Sequence, residues 1–325
     1  EYIMRIFILI GTQSELIKMA SVFKEFDKRK IPYYFIHTGQ HTQSAKRIIE
    51  DFNLKQPDFY ITKREHDLKT ISECLFWIAK CLFRGYKLKN LKKGDLIILH
   101  GDTESTLIGF ILAKLKRCKI AHVEAGLRSF NIFNPFPEEV TRRIVDRFSD
   151  YLFTPGNWAM SNLKKEETKG KIINTHLNTN FNSLSYILKT KPKIPIPQEK
   201  YAILMLHRKE TIYLGTRLKK AIECIEEITK KMTTLFIMSD KTKHSLKKKG
   251  LFKETKKNKN LQIKNFYNYL DFVHLLKNCE FVATDGGSLQ EETFFLNKPC
   301  LLLRERTERK EGLGETAFLS SHNWS

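Results

Sequence analysis

Short apolar runs that end abruptly in polar or glycine-rich clusters recur along this chain of 325 residues. Five such runs, at 6–10, 96–99, 120–123, 202–206 and 281–284, end at Gly11, His100, Glu124, His207 and Asp285. Short apolar runs that alternate with helical patterns predict buried parallel strands in α/β units. Because ligands of open parallel sheets bind beyond the carboxyl ends of the strands, we expect all five clusters to lie on ligand-facing edges.

The pattern predicts two alternating halves. In the first half the predicted strands are 4–10, 32–37, 95–100, 119–123 and 151–154, the last of that half, and the predicted helices are 14–29, 43–52, 67–84, 104–116 and 137–149. In the second half the predicted strands are 201–206, 233–238, 261–264, 280–284 and 300–303, and the main helices are 215–231 and 288–296. A lysine-rich stretch at 164–171 and a proline-containing segment at 191–197 separate the halves.

We therefore predict an α/β fold of two doubly wound domains, 1–170 and 171–325, with a cleft between them. The length agrees, because single hydrophobic cores stop growing near ~250–300 residues. Since the chain ends soon after the last predicted strand, we expect a short terminal segment that lacks a closing helix.

Composition favours a cytoplasmic globular protein. Hydrophobic residues make up 41% of the chain, yet no apolar run approaches the ~20 residues that a membrane helix needs. The opening apolar stretch is too short for a signal sequence, so we expect no membrane insertion. Six scattered cysteines without CxxC pairs are typical of reduced thiols in a cytoplasmic protein.

The formal net charge of +21 raises the question of a nucleic-acid partner. The lysines are spread along the whole chain, and no aromatic residues alternate with them as in a base-stacking surface. We favour solvated surface lysines over a specific polyanion site, and so expect no specific nucleic-acid partner. A positive field would still steer a phosphorylated small substrate toward the protein.

Carboxylates follow two of the predicted strands of the first half. Asp102 and Glu124 each lie just beyond a strand, so both can face one cleft, although Asp102 also suits the N-cap of the next helix. A solubilising surface role poorly explains a glutamate at position 124, just before Gly126.

Pro137 and the two following glutamates suit the first turn of a helix. Glu139 can also form an ordinary i,i+4 ion pair with Arg143.

The second half contributes a strand, a glycine turn and a helix around 285–288. Backbone amides at such a helix start can hold phosphate oxygens, although many such turns are only turns. His207 and Arg208, at another strand end, add two potential cationic donors. The sequence contains no HExxH, Walker loop or Cys/His spacing, so we expect no metal site.

Taken together, the clusters resemble the UDP-N-acetylglucosamine 2-epimerase family over about residues 4–318. The motifs that carry the resemblance, in chain order, are Gly-Thr at 11–12 with Ile-Lys-Met-Ala at 17–20, Thr-Gly-Gln-His at 38–41, His-Gly-Asp-Thr at 100–103, His-Val-Glu-Ala-Gly-Leu-Arg at 122–128, Pro-Glu-Glu at 137–139 with Arg-Arg at 142–143, His-Arg-Lys-Glu at 207–210, Gln-Glu-Glu at 290–292, Asn-Lys-Pro-Cys at 297–300, Thr-Glu-Arg at 307–309 and Glu-Gly at 311–312.

The resemblance implies a glycosyltransferase-B-like fold, a homodimer, and epimerisation at C2 of a UDP-sugar without a cofactor. In that family the C2 proton and UDP are eliminated to give a 2-acetamidoglucal, to which UDP then re-adds. Position by position, the implied catalytic residues are Asp102, Glu124, Glu138 and His207. The implied substrate-binding residues are Lys18, Gln40, His41, Arg128, Arg208, Phe272, Gly287, Ser288 and Glu292, of which Arg208 and the 287–288 amides would hold phosphate, Glu292 the ribose and Phe272 the uracil.

Three departures from the family pattern leave the exact sugar open. Gln13 stands where the opening motif has arginine, the usual Asp-Ser-Gly-Gly is reordered at 285–288, and an interdomain Gly-Asn-Thr-Val-x-Asp motif is eroded at 177–182. Three functions stay open: a non-hydrolysing epimerase that makes UDP-ManNAc for surface polysaccharide, a hydrolysing relative that releases ManNAc and UDP, and a nucleotide-sugar-binding protein without turnover. The retained carboxylates favour an enzyme, because a pure binder has no use for opposed acid/base groups.

Overall fold

The computed structural model describes residues 3–63, 71–132, 136–213, 215–304 and 306–320, and these form two compact units. Unit 1 is Glu1–Tyr186 and unit 2 is Ile187–Ser325. The division therefore lies beyond the position 170/171 expected from the sequence, because a strand at 171–174 and most of a helix at 179–187 belong to unit 1.

Unit 1 is built on a seven-stranded parallel sheet of order β3-β2-β1-β4-β5-β6-β7. Its strands are β1 Ile6–Ile10, β2 Tyr34–His37, β3 Phe59–Tyr60, β4 Leu96–His100, β5 Lys119–Val123, β6 Tyr151–Thr154 and β7 Lys171–Asn174. The helices are α1 Gln13–Lys28, α2 Thr42–Asp51, α3 Ile71–Tyr86, α4 Glu104–Lys116, α5 Glu138–Phe148, α6 Asn157–Lys165 and α7 Thr179–Ile187.

Unit 2 repeats the architecture on a six-stranded parallel sheet of order β10-β9-β8-β11-β12-β13. Its strands are β8 Tyr201–Met205, β9 Thr233–Ile237, β10 Leu261–Lys264, β11 Phe281–Thr284, β12 Cys300–Leu302 and β13 Ala317–Leu319. The helices are α8 Lys209–Ile212, α9 Gly215–Thr229, α10 Asp240–Lys248, α11 Leu251–Lys257, α12 Tyr269–Asn278 and α13 Gly287–Phe295.

The strand order of each sheet reverses once, and this reversal positions the site. In unit 1 the chain leaves β1 toward β2 and later returns to β4 on the other side, and in unit 2 it does the same between β8 and β11. Loops diverge at such a switch point and leave a crevice beyond the carboxyl ends of the strands. The clusters after β1, β4, β8 and β11 all lie at these two positions.

The predicted fold class is confirmed: both units are doubly wound α/β domains. The central strands β1, β4 and β8 are apolar on both faces, as parallel strands covered by helices must be. Three elements at the ends of the sheets were missed, and Tyr151–Thr154 is not the last strand of its half. β3 has only two residues, β7 is a half-buried edge strand, and β13 follows the strand that we expected to be the last.

The lysine-rich stretch at 164–171, expected to help separate the two halves, contains the end of α6 and the start of β7. The helix predicted at 67–84 is observed as α3 from Ile71, and residues 67–70 lie outside the described part of the chain. Within the described residues, no helix is both long and apolar enough to cross a bilayer.

Candidate functional site

The turn after β5 holds Glu124 in a buried, strained position. Its φ of +68° lies in the left-handed region, which a glutamate rarely adopts, so the surrounding contacts must hold it there. One carboxylate oxygen accepts from Lys18 Nζ and from Asn178 Nδ2, each at 2.5 Å. The other lies 3.8 Å from His100 Nε2. The predicted residues Lys18 and Glu124 are thus in direct contact, as a buried ion pair.

Asp102 lies on the turn after β4, and its carboxylate accepts from the guanidinium of Arg142, with Nε at 3.1 Å and a second, shorter contact from Nη2. Arg142 also donates to Glu139 at 3.0 Å. The N-cap of α4 is Thr103, whose hydroxyl accepts from the Thr106 amide. The alternative interpretation of Asp102 as the helix cap is therefore wrong, and its carboxylate faces α5.

Glu138 is the first residue of α5, one position before the fully buried Glu139. Glu139 accepts from the backbone and hydroxyl of Ser129 as well as from Arg142 and Arg143. The i,i+4 pair with Arg143 expected from the sequence is present, at 2.9 Å. Glu139 therefore has a structural role. The neighbouring Glu138 stays the candidate catalytic carboxylate at this helix start.

A buried cluster of charges lies behind the β5 turn. His122 contacts Asp146 through Nδ1 at 2.7 Å, and Arg128 donates to the other oxygen of Asp146 at 2.7 Å. Burial opposes ionisation of Asp146, but His122 and Arg128 outweigh it and hold the pKa of this carboxyl below its usual value. Arg128 also donates to Glu166 at 2.6 and 2.8 Å. The structure thus places Arg128, a predicted substrate-binding residue, in a buried ion-pair cluster.

Gln40 and His41 lie at the start of α2, beyond the end of β2. The Gln40 amide donates to Glu104 at 2.7 Å and its carbonyl accepts from Ser105 at 2.6 Å. The His41 backbone amide donates to the Gly11 carbonyl at 3.0 Å, which ties α2 to the end of β1. These contacts place both residues at the same edge of the sheet as Asp102.

In unit 2, Asp285 organises the ends of β8 and β11. Its fully buried carboxylate accepts from the backbone amides of His207 at 3.0 Å and Arg208 at 3.0 Å, and it lies 3.3 Å from His207 Nδ1. The imidazole is about half exposed. A Cβ on Gly286 would lie 2.6 Å from His207 Cε1, so any side chain at position 286 would require the imidazole to shift.

A cluster of arginines surrounds the helix start at Gly287. Arg304 donates to Glu308 at 3.1 Å, and Arg208 Nη2 lies 3.9 Å from the same carboxylate. Burial would raise the pKa of Glu308, but Arg304, Arg208 and Arg309 overcome it and bring the pKa to about 2. A Cβ on Gly287 would lie 2.7 Å from Glu308 Oε1, so the cluster packs directly on the turn.

The remaining predicted residues of unit 2 lie on α12 and α13. Glu292 accepts from the Tyr269 hydroxyl at 2.9 Å, and burial together with this carboxylate raises the pKa of Tyr269 well above its ordinary value. Ser288 is half-buried in the first turn of α13. Phe272 is partly buried against the core that contains Tyr201.

The structure thus gathers the predicted residues into two sets. Those of unit 1 lie on α1, beyond the ends of β2, β4 and β5 and at the start of α5. Those of unit 2 lie beyond the ends of β8 and β11 and on α12 and α13. Sequence reasoning gave no role to Arg142, Asp146 and Arg304, although a charged residue directly after the apolar run of β12 was a usable signal for Arg304. Among the described residues, no group of three or more His, Cys, Asp and Glu side chains is arranged to hold a metal ion.

Comparison with known proteins gives a consistent result. The family model described as UDP-N-acetylglucosamine 2-epimerase matches residues 24–322. The curated UDP-N-acetylglucosamine 2-epimerase of Methanocaldococcus jannaschii is 34% identical over 95% of this chain and 86% of its own length. A UDP-2,3-diacetamido-2,3-dideoxy-D-glucuronate 2-epimerase of Pseudomonas aeruginosa is 30% identical over 94% of this chain and 84% of its own length.

Among solved structures, the chain resembles the UDP-GlcNAc 2-epimerase of Methanocaldococcus jannaschii in complex with UDP-GlcNAc and UDP. The TM-score is 0.85 at 32% identity, and the match covers 99% of this chain and 90% of the other. The family resemblance drawn from the motifs is confirmed by these matches.

Proposed function

Since this chain belongs to the UDP-N-acetylglucosamine 2-epimerase family, we propose that it interconverts UDP-GlcNAc, or a close derivative of it, and the C2-epimeric UDP-ManNAc. The reaction removes the C2 proton and expels UDP from C1 to give a 2-acetamidoglucal. Re-addition of UDP to C1 and of a proton to the other face of C2 completes the epimerisation. The atoms balance without a redox cofactor, and the product would supply surface polysaccharide synthesis.

The observation that carries the proposal is the set of carboxylates at one edge of the unit 1 sheet. Asp102 follows β4, Glu124 follows β5, and Glu138 begins α5. Epimerisation by elimination needs one group to remove the C2 proton and another to return a proton from the opposite face. The Lys18 ammonium against Glu124 favours the ionised form of this carboxylate, which a general base must have.

The ends of β8 and β11 in unit 2 suit the departing UDP. A diphosphate that accumulates charge is stabilised by cations and by amides aimed at it. His207 and Arg208 supply the cationic donors, the 287–288 amides at the start of α13 lie beside them, and Glu292 would take the ribose hydroxyls. Arg304 and Arg309 also lie close to the turn, where they pair with Glu308 and Glu291.

One NMR experiment tests both whether UDP-GlcNAc is the substrate and whether the product stays linked to UDP. A relative that acts on a diacetamido uronate shares 30% identity with this chain, so a modified UDP-sugar is the main alternative substrate. Proton and phosphorus NMR of the protein with UDP-GlcNAc should show UDP-ManNAc rising to a constant ratio with the substrate. Accumulation of free ManNAc and UDP in equal amounts would replace the proposal with the hydrolysing reaction. Tight UDP binding without any product would favour the non-catalytic alternative or a different sugar.

The homodimer and the cytoplasmic location stay predictions. Exposed apolar side chains on α3 support an interface there, because large exposed apolar patches often mark contact surfaces; they are Leu75, Phe76, Phe83 and Tyr86. All six cysteines are free thiols, and four of them are buried, which supports a reducing compartment. Light scattering tests the dimer, and Phe76→Glu should convert it to a monomer.

A further inference from the structure

Eight side chains of alternating charge form one continuous chain of contacts in unit 1. The chain starts at Asp102 and runs through Arg142, Glu139, Arg143, Glu166, Arg128 and Asp146 to His122. The separations after the first contact are 3.0, 2.9, 3.5, 2.6, 2.7 and 2.7 Å. His122 Nε2 then contacts the Gly101 carbonyl at 2.7 Å. Because Gly101 precedes Asp102, the chain closes into a ring.

The ring closes fully only when the imidazole of His122 is doubly protonated. Nδ1 faces the Asp146 carboxylate and Nε2 faces the Gly101 carbonyl, and both of these partners can only accept hydrogen bonds. With Asp146 ionised, both contacts are hydrogen bonds only when each nitrogen carries a proton. With His122 positive, the ring holds four positive and four negative charges. This neutrality matters because His122 and Asp146 are fully buried.

The ring touches each element that carries a candidate acid/base carboxylate. Asp146 accepts from the Gly126 amide at 3.1 Å, two residues after Glu124. Glu139 is the neighbour of Glu138 on α5, and Asp102 is itself a member. Productive proton transfer needs its groups held within about half an ångström, and buried hydrogen bonds supply that rigidity.

We infer that the ring is a positioning device for the three carboxylates and that protonated His122 is its closing member. The inference rests on the proposed function. His122 does not touch the substrate; it acts by fixing the Gly101–Asp102 turn relative to the Glu124 turn and α5. Its removal should therefore lower kcat and leave UDP binding, which we assign to unit 2, unchanged.

Two amide substitutions separate positioning from simple loss of charge or stability. His122→Gln places an amide nitrogen near Nε2 and keeps donation to the Gly101 carbonyl. His122→Asn places one near Nδ1 and keeps donation to Asp146. Both variants lose the same charge and keep one hydrogen bond. If fixing the Asp102 turn is what matters, kcat should fall on the order of 10²-fold for Asn and about tenfold for Gln, with KM nearly constant.

Equal losses in the two variants would refute the positioning role, and so would wild-type kcat in both folded variants. If the variants do not fold, a measurement on the wild-type protein still tests the inference. Nitrogen-15 NMR of labelled histidines should show two protected N–H protons on one imidazole, and a single N–H on every buried ring would overturn the inference. This signal does not depend on turnover. If it is present while UDP-GlcNAc is not converted, the proposed function fails and the ring stands.

Discussion

His37 offers a prediction whose magnitude follows directly from the structure. The imidazole is fully buried at the end of β2, where Nδ1 accepts from the Gly39 amide at 3.0 Å and the ring packs against Tyr60 at 5.5 Å. Burial, with a smaller contribution from the positive charge of His41, lowers the pKa of His37 from 6.5 to about 4. The folded protein therefore keeps His37 neutral at pH values where the unfolded chain protonates it.

The direction of the effect follows from the protons bound in each state. Between pH 6.5 and about pH 4 the unfolded chain binds a proton at His37 that the folded chain does not, so stability rises with pH and is lost as the pH falls. For these two pKa values the loss between pH 7 and pH 5 is about 2 kcal/mol from this residue alone. It reaches about 3 kcal/mol once the pH is below both values.

His37→Asn tests this value, because its side-chain oxygen can still accept from the Gly39 amide while the titrating group is gone. Urea unfolding at pH 7, 6 and 5 gives the free energy of unfolding at each pH. The loss from pH 7 to pH 5 should be about 2 kcal/mol smaller in the variant than in the wild type. His176→Asn, at an exposed histidine of the same unit, is the control and should leave the pH dependence unchanged. The same pH dependence in His37→Asn and wild type would refute the reasoning.

Three further predictions concern the candidate residues of unit 1 and of unit 2. Asp102→Asn, Glu124→Gln and Glu138→Gln should each lower kcat by roughly 10²–10⁴ with an unchanged circular dichroism spectrum, and near-normal turnover in all three would make these carboxylates structural. Lys18→Met should lower the free energy of unfolding by about 3–5 kcal/mol, because it removes the Lys18 ammonium from the buried Glu124 carboxylate. Adding Glu124→Gln to this variant should restore part of the lost stability, and purely additive effects would argue against a stabilising Lys18–Glu124 ion pair. His207→Ala and Arg208→Ala should weaken UDP binding in calorimetry, most strongly at low salt, and Gly286→Ala should do the same by displacing the imidazole; unchanged affinity in all three would remove them from the phosphate site.

The central strands could be predicted from the sequence because they are short apolar runs with an abrupt polar end. The edge strands could not, since β7 and β13 are half-exposed and three or four residues long, and their stability comes from pairing with a neighbour. The same holds for β3, whose two residues pair with the end of β2. Pairing partners far along the chain leave no local pattern to read.

The site shows a similar division. Asp102 and Glu124 could be found because a carboxylate just beyond a buried strand is conspicuous. Two of their partners could not be found, since Arg142 is 40 residues from Asp102 and Asn178 is 54 residues from Glu124. The capping role went to Thr103, one position from the residue considered, because a hydroxyl reaches the Thr106 amide and leaves Asp102 to face α5.

Solvent exchange at C2 tests the central claim most directly, because elimination and re-addition must replace the C2 proton with one from water. The protein is incubated with UDP-GlcNAc in D2O, and the C2 proton signals of substrate and product are followed by NMR. The proposal predicts deuterium at C2 of UDP-ManNAc and, as equilibrium is approached, of UDP-GlcNAc, with both sugars still linked to UDP. Formation of UDP-ManNAc that retains the original C2 proton would contradict it, as would the absence of both exchange and product.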